Sequence, residues 1–396
     1  MSPLAYRLLA IVLQGLTGFL TYTLFCKLIG NKSAAFLGGA IFTFNIIQRN
    51  IVFYLSAIIY ILVEIYAMST IIFHMTFLEN RKPRNYVISF IIFLLGISTH
   101  VSIAIVVPTL IYLTLRKGKR ISKVLLFAPH SLLFLAVLII EVYRGGTGRY
   151  TFNVYQSLRN IVTFTSALYY PFTPFGFTKA ISLESTIIGK LRAMSHLFVS
   201  KPMAILMLFL SLTTLFIAFR SLFQKGPQKV GSVIFWSALS FYIPYHGISS
   251  RYINFGLLGI SLILASFVAY NSHRPSRRYI LYLFYVVIMT LLIPQPFLIY
   301  KEYPKYRKLA SYCAIFKNYF SNKDFSYTDR IEISGVPDYS VEGSGLIDGL
   351  MKLIPRWTNN PDLKIEINPN QQVVGLHYVF EEPDKIIEVQ SSGEKK

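Results

Sequence analysis

No aspartate occurs before Asp324, and the first 300 residues contain only four glutamates, Glu64, Glu79, Glu141 and Glu184. Any acid–base chemistry that needs a carboxylate in that stretch therefore has few places to find one. Cysteine is as scarce: Cys26 and Cys313 are the only two, so no disulfide framework organises the chain and no Cys-x-x-Cys spacing points to a metal. A cleavable signal peptide is also missing, because Met1–Arg7 runs straight into an apolar segment with no small-residue cleavage site after it. Neither a divalent metal nor another cofactor is implied by any motif.

Apolar and basic residues fill the space that the acids leave. The chain is 54% hydrophobic, with a mean hydropathy of +0.50 and a formal charge of +21. The first 300 residues carry 26 Lys/Arg against their four glutamates, whereas the last 96 carry 13 Lys/Arg and 14 Asp/Glu. The basic excess thus belongs to the apolar part, where short basic loops flank membrane spans. It excludes nucleic-acid binding, since no basic soluble face exists to carry it. An ionised carboxylate in hydrocarbon is costly, which is why a polytopic membrane domain shows so few.

Apolar runs of membrane length lie near 8–26, 51–78, 124–143, 202–219, 230–246, 252–271 and 279–299, with a shorter one near 34–46. Tyr86–Leu115 is long and carries a polar break at Ser98-Thr99-His100. Short basic loops stand on both sides of it, Arg81-Lys82-Pro83-Arg84 and Arg116-Lys117-Gly118-Lys119-Arg120, and both read as cytoplasmic. The stretch must then cross and return, turning near His100. The loops at 220–229 and 273–278 read as cytoplasmic by the same rule. Alternation places residues 144–201 in a large extracytoplasmic loop, the tail from residue 300 outside, and the N-terminus outside. The expected fold class is an α-helical polytopic membrane protein of about nine to ten spans over residues 1–299. Residues 300–396 form a small C-terminal extracytoplasmic α/β domain. Helical spacing is expected over Lys301–Phe320 and Leu346–Ile354, and strands over Arg330–Ser334, Leu363–Ile367, Val373–Phe380 and Ile386–Val389.

Several segments carry a resemblance. Pro3–Leu9, Leu16–Tyr22, Lys27-Leu28-Ile29-Gly30 and Ala34–Ala40 follow one another as two consecutive helices. Gly96-Ile97-Ser98-Thr99-His100 precedes Val107-Pro108, and Ser249-Ser250-Arg251-Tyr252-Ile253 precedes Gly256 and Gly259. In these features the membrane part resembles the C-type membrane glycosyltransferases, in the branch of the protein O-mannosyltransferases and their tetratricopeptide-linked bacterial relatives. The resemblance covers most of residues 1–300 and rests on a pattern of helices with short motifs. It implies transfer of a sugar from a polyprenyl-phosphate donor at the extracytoplasmic face, with a protein or glycan acceptor, in a bacterial or archaeal cell membrane rather than the endoplasmic reticulum. It also implies a catalytic base on an acidic first loop, and this chain starts after the position of that loop. Where the branch has a His-Pro-x-His turn, Phe44-Asn45-Ile46-Ile47 stands instead. The expectation is a truncated or degenerate relative with weak transfer activity.

Such a transfer needs positive charge for the lipid phosphate and a base for the acceptor. The 144–201 loop supplies Arg144, Arg149 and Arg159 together with Lys179, Lys190, Arg192 and Lys201. The bland alternative is a solvated surface facing lipid headgroups. Arg251, beside Tyr252, is placed to form paired bonds to phosphate or else to snorkel to the interface. His100 and His246 map to the outer face, as substrate contacts or as satisfied structural residues. Glu141 and Glu184 are the carboxylates placed to act as a base, and each has an ion-pair reading as well. Glu64, in mid-span, reads as structural, and Glu79 as a surface partner of Arg81. The aromatic and proline-rich Tyr169–Phe175 reads as an interfacial anchor. A transporter, flippase or polymerase-like protein for lipid-linked glycans would also show many spans and a basic outer loop. Paired broken helices would mark it, and only one broken stretch occurs. A membrane scaffold without enzymatic activity is the third reading.

Overall fold

The computed structural model describes residues 3–45, 58–117, 128–136, 139, 154–168, 203–243, 253–272, 294–321, 323, 325, 330–336, 340–341, 344–358, 360, 363–367, 376–381 and 385–389, with six isolated positions between 186 and 196. The chain divides into two compact units, Met1–Leu298 and Ile299–Lys396. The protein is mostly helical, with candidate membrane-spanning helices in the first unit and a small sheet in the second.

The first unit is a bundle. Helix α1 (Pro3–Ile29) gives way to α2 (Lys32–Thr43) at Gly30, whose φ of 74° suits glycine, and Asn31 caps the new helix by accepting from Ala34 N at 3.0 Å. Helix α3 (Ile58–Asn80) is followed by α4 (Pro83–Thr99) through a two-residue link. There Asn80 Oδ1 accepts from Lys82 N and Asn85 Nδ2 at 3.0 and 3.1 Å, and Pro83 opens α4 without needing an N–H partner. A 3₁₀ turn (Val101–Ile105) leads into α5 (Val106–Lys117). Tyr86–Leu115 therefore consists of two helices with a turn at His100. Gly96 makes the turn tight, because the Ile103 side chain occupies the space a Cβ would need. Next come α6 (Val154–Ala167), α7 (Met203–Leu222), α8 (Pro227–Tyr242) and α9 (Asn254–Ser272).

Three described helices are long and apolar enough to cross a bilayer: Leu8–Ile29 of α1, Ile58–Asn80 and Asn254–Ser272. At 1.5 Å per residue such lengths match a hydrocarbon core of about 30 Å. α4, the 101–116 stretch and 208–222 are shorter apolar helices. Large apolar side chains stand exposed at helical spacing, Val87, Ile91 and Leu95 on α4 and Phe209, Leu212, Phe216 and Phe219 on α7. Stripes of that size suit lipid, not water.

α9 is the hub, buried almost all round. Its Gly259 faces Gly231 of α8 so closely that a Cβ on Gly259 would lie 2.5 Å from the Gly231 carbonyl oxygen and 2.7 Å from Phe235 N. Two helices in lipid gain from such backbone approach, since hydrophobic exclusion no longer drives them together. On another side, α2 lays Gly38 against Ala265 and Phe25.

α1 and α3 run parallel. Ala10 packs with Ile61, Thr21 Oγ1 donates to Met68 Sδ at 3.1 Å, and Lys27 pairs with Glu79 at 2.9 Å. The sequence pointed to Arg81 as the partner of Glu79; helix packing brings Lys27 of α1 to it instead. Lys229 at the start of α8 lies over the Tyr112 ring near the end of α5, 5.6 Å from its centroid. Lys27, Lys32, Arg81, Lys82, Arg84, Arg116, Lys117, Arg220, Lys225 and Lys229 thus gather at one end of the bundle, the basic end.

In the second unit, helix α10 (Pro294–Phe320) precedes β1 (Arg330–Ser334), a short hairpin of β2 (Ser340–Val341) and β3 (Ser344–Gly345), α11 (Leu346–Trp357), β4 (Lys364–Ile367), β5 (Leu376–Glu381) and β6 (Lys385–Val389). The main sheet runs β4-β1-β5-β6, with β1 parallel to both neighbours and β6 antiparallel. Tyr312, Phe316 and Phe320 of α10 and Leu346, Leu350 and Ile354 of α11 share a core with Ile331, Ile333, Tyr378 and Phe380. Each large side chain so buried contributes roughly 1.5–3 kcal/mol. Lys323 joins this core's edge, paired with Glu388 and lying 5.0 and 5.5 Å from the ring centroids of Tyr319 and Tyr378.

Burial pushes the Tyr378 hydroxyl up to about 12 from its ordinary 10.0. A raised value in the fold means that the folded state keeps the proton longer. Its stabilising effect is complete below pH 10 and is lost as pH rises towards 12. Near-UV circular dichroism should show the aromatic core of this unit loosening across that window, and Tyr378→Phe, which keeps the ring, should flatten the response. In the first unit, Gly259→Ala should destabilise the bundle by about 1–3 kcal/mol through forced separation of α8 and α9. Gly15→Ala, where a Cβ meets nothing within 4 Å, should leave the melting temperature unchanged or raise it.

Candidate functional site

The end of the bundle opposite the basic one is assembled by side-chain amides. A helix leaves its last carbonyls without internal partners, and in an apolar bundle something must meet them. Asn160 of α6 does this for α8: its Nδ2 donates to Ile243 O at 2.7 Å and to Tyr242 O at 3.3 Å. Asn45, just past α2, donates to Leu168 O at the end of α6 at 3.1 Å. Phe164 of α6 fills the space that Gly256 of α9 leaves by lacking a Cβ, and stacks edge-on with Phe235 of α8 at 5.9 Å. α6 is thereby pinned to the end of α8 and the start of α9.

That start is polar. Ile253 and Asn254 are buried, and both amide atoms of Asn254 lack a hydrogen-bond partner. They sit in the first turn of α9, where the free backbone N–H groups carry positive partial charge. Arg251 and Tyr252 immediately precede this turn in the chain, and Arg159 immediately precedes Asn160. The backbone of Arg159 lies in α6; Arg251, Tyr252 and His246 lie outside the described residues, as do Glu141, Arg144, Arg149, Glu184 and the Tyr169–Phe175 stretch. The pinned helix ends therefore bring the Arg159 position of α6, the end of α8 at Ile243 and the start of α9 to the same end of the bundle.

His100 is at this end too. Its Nδ1 accepts from Ser102 N at 3.2 Å and lies 2.8 Å from Ser102 Oγ, which caps the 3₁₀ turn and leaves the ring proton on Nε2. Its ring lies 5.2 Å from that of Tyr60. The turn-forming role sits squarely on His100. Glu64 of α3 is only 2% exposed, and Gln14 of α1, buried as well, lies at the matching depth by the parallel register of the two helices. Both Gln14 amide atoms lack a hydrogen-bond partner. Among the described residues no group of three His, Cys, Asp or Glu is arranged to hold a metal.

Asn45, Asn160 and Asn254 were not singled out by the sequence as site residues. The signal was there in retrospect: each is an amide next to or within an apolar run, where a polar group needs a bonding reason. No family model matches the sequence, and neither characterised proteins nor solved structures provide a match.

Asn160→Ala strips the partner from two helix-end carbonyls and should cost about 1–3 kcal/mol, read as a lower melting temperature in detergent. Leu158→Ala, at an exposed position of the same helix, should change stability by less than about 0.5 kcal/mol.

Proposed function

We propose that the protein is a membrane glycosyltransferase of the C-type kind, or a relative that retains its lipid-phosphate site, working on a polyprenyl-phosphate-linked sugar at the non-cytoplasmic face. One observation carries this reading: Asn160 pins α6, which carries Arg159, to the end of α8, and Phe164 of the same helix packs on the start of α9, which follows Arg251 in the chain. The supporting facts are the opposite, basic end and the exposed apolar stripes. Short basic loops favour the cytoplasm, and the Asn160 end would then face outside. A lipid phosphate held there would meet Arg251 and Arg159, and the first turn of α9 would add its unpaired N–H groups.

The charge supply explains phosphate binding better than it explains turnover. A sugar transfer also needs a base, and the carboxylates offered by the outer segments are Glu141 and Glu184. Loss of a general base typically costs about 10²–10⁴ in rate, so a relative without one keeps binding and retains trace transfer. Tyr252 beside Arg251 would line the same phosphate, and the tail would lie on the same outer side.

The test reconstitutes the protein in right-side-out vesicles and measures binding and transfer of a radiolabelled polyprenyl-phosphate sugar. Arg251→Ala should weaken binding about tenfold or more, and Arg251→Lys should recover only part of it, because the planar fork is lost. Arg220→Ala, at the basic end, should change nothing. Equal binding by the parent and Arg251→Ala would remove the phosphate site from this face. Full turnover abolished by Glu184→Gln or Glu141→Gln would identify the base.

A further inference from the structure

A second polar group lies towards the basic end, away from the site above. His74 of α3 is fully buried, with Nε2 at 2.8 Å from Thr114 Oγ1 of α5. The Thr114 hydroxyl proton is committed to Leu110 O at 2.8 Å. Nε2 must therefore be the donor in the His74 contact, which leaves Nδ1 as a bare lone pair. That atom has no hydrogen-bond partner. His130, in the helical segment 128–136, is fully buried too, and neither of its ring nitrogens is bonded. The Tyr86 hydroxyl of α4 is a third buried group without a partner.

These three rings form a triangle, with centroids 6.0 Å apart for His74–His130, 6.5 Å for His74–Tyr86 and 5.9 Å for Tyr86–His130. Phe90 and Phe93 close it on the His130 side, at 5.3 and 5.1 Å. Buried polar atoms at this density call for a guest. A metal cation fits poorly: no three-ligand group is present among the described residues, and the nearest carboxylate along α3, Glu79, is engaged by Lys27. Uncompensated charge in an apolar bundle is strongly disfavoured. The guest is therefore neutral, small and able both to donate and to accept.

We propose that His74, His130 and Tyr86 enclose a bound water that ties α3, α4 and the 128–136 segment together. One molecule meets three of the four unpaired atoms. Water donates to His74 Nδ1 and to the lone-pair nitrogen of His130, and it accepts from the Tyr86 hydroxyl. One acceptor site remains for a second water reaching the N–H of His130. Bridging waters of this kind are typical of buried polar clusters and hold nearly as well as direct bonds.

Two measurements on the full chain in bilayers test this. In ¹⁵N-histidine protein, with His74 and His130 signals assigned through His74→Gln and His130→Gln, water-edited solid-state NMR should transfer magnetisation from water to both rings despite their burial. Absence of that transfer to either ring overturns the proposal. Second, His130→Phe should lower the melting temperature by about 2–4 °C, because expelling the water strands His74 and Tyr86. Combined with Tyr86→Phe it should cost less than the sum of the two, the mark of a shared bridge. A dry cluster gives the opposite sign: His130→Phe deletes two orphaned atoms and raises the melting temperature.

Discussion

Every backbone N–H and C=O in an apolar bundle has to be met by the protein itself, because hydrocarbon offers no partner. The first unit follows from that constraint. Helix interiors meet it automatically, and helix ends do not. At the ends the sequence supplies short polar side chains: Asn31 at the start of α2, Asn80 between α3 and α4, His100 at the 3₁₀ turn, and Asn160 and Asn45 on the last carbonyls of α8 and α6. Each of these side chains serves a terminus, and Asn160 and Asn45 also fix which helices meet there. Those two capping groups thus also set the tertiary arrangement.

The glycines serve close helix approach, which is what association in lipid would require. Burial of apolar surface gives no net attraction between helices that are already in lipid, so close contact has to come from shape. Gly231 and Gly259 let the backbones of α8 and α9 touch, Gly256 receives Phe164, and Gly38 receives Phe25 and Ala265. All of these contacts converge on α9 or its direct neighbours. A hub built from missing side chains tolerates little added volume. It also holds α6, α8 and the start of α9 in a fixed relation.

The fold was largely legible in the sequence where periodicity and charge carry it. The His100 turn was readable because basic loops flank the run on both sides, and the strands and helices of the second unit from their alternation. The pairing of Lys27 with Glu79 was not readable, since it depends on α1 and α3 lying parallel, and local spacing favoured Arg81. His74, His130 and Tyr86 escaped for a related reason. They stand on three separate elements, far apart in the chain, and nothing but packing brings their rings within 6.5 Å. Asn160 was hidden beside a more conspicuous arginine. Of the expected site residues, the backbone of Arg159 and the His100 turn lie among the described residues, and the structure adds the amides of Asn160 and Asn45 that hold α6 in place.

The distribution of charge then limits what chemistry the first unit can do. Its described carboxylates are Glu64 and Glu79, one buried at mid-depth in α3 and the other in an ion pair with Lys27 at the basic end. Neither stands on the segments that Asn160 draws together. Those described segments carry Arg159 and no carboxylate. An arrangement of that kind favours recognising an anion over breaking a bond next to it, since a phosphate is held by charge and N–H donors alone whereas a transfer needs a proton acceptor as well. On the reading proposed above, phosphate recognition would be the more basic property of this end of the molecule, and catalysis would depend on whether Glu141 or Glu184 is brought to it.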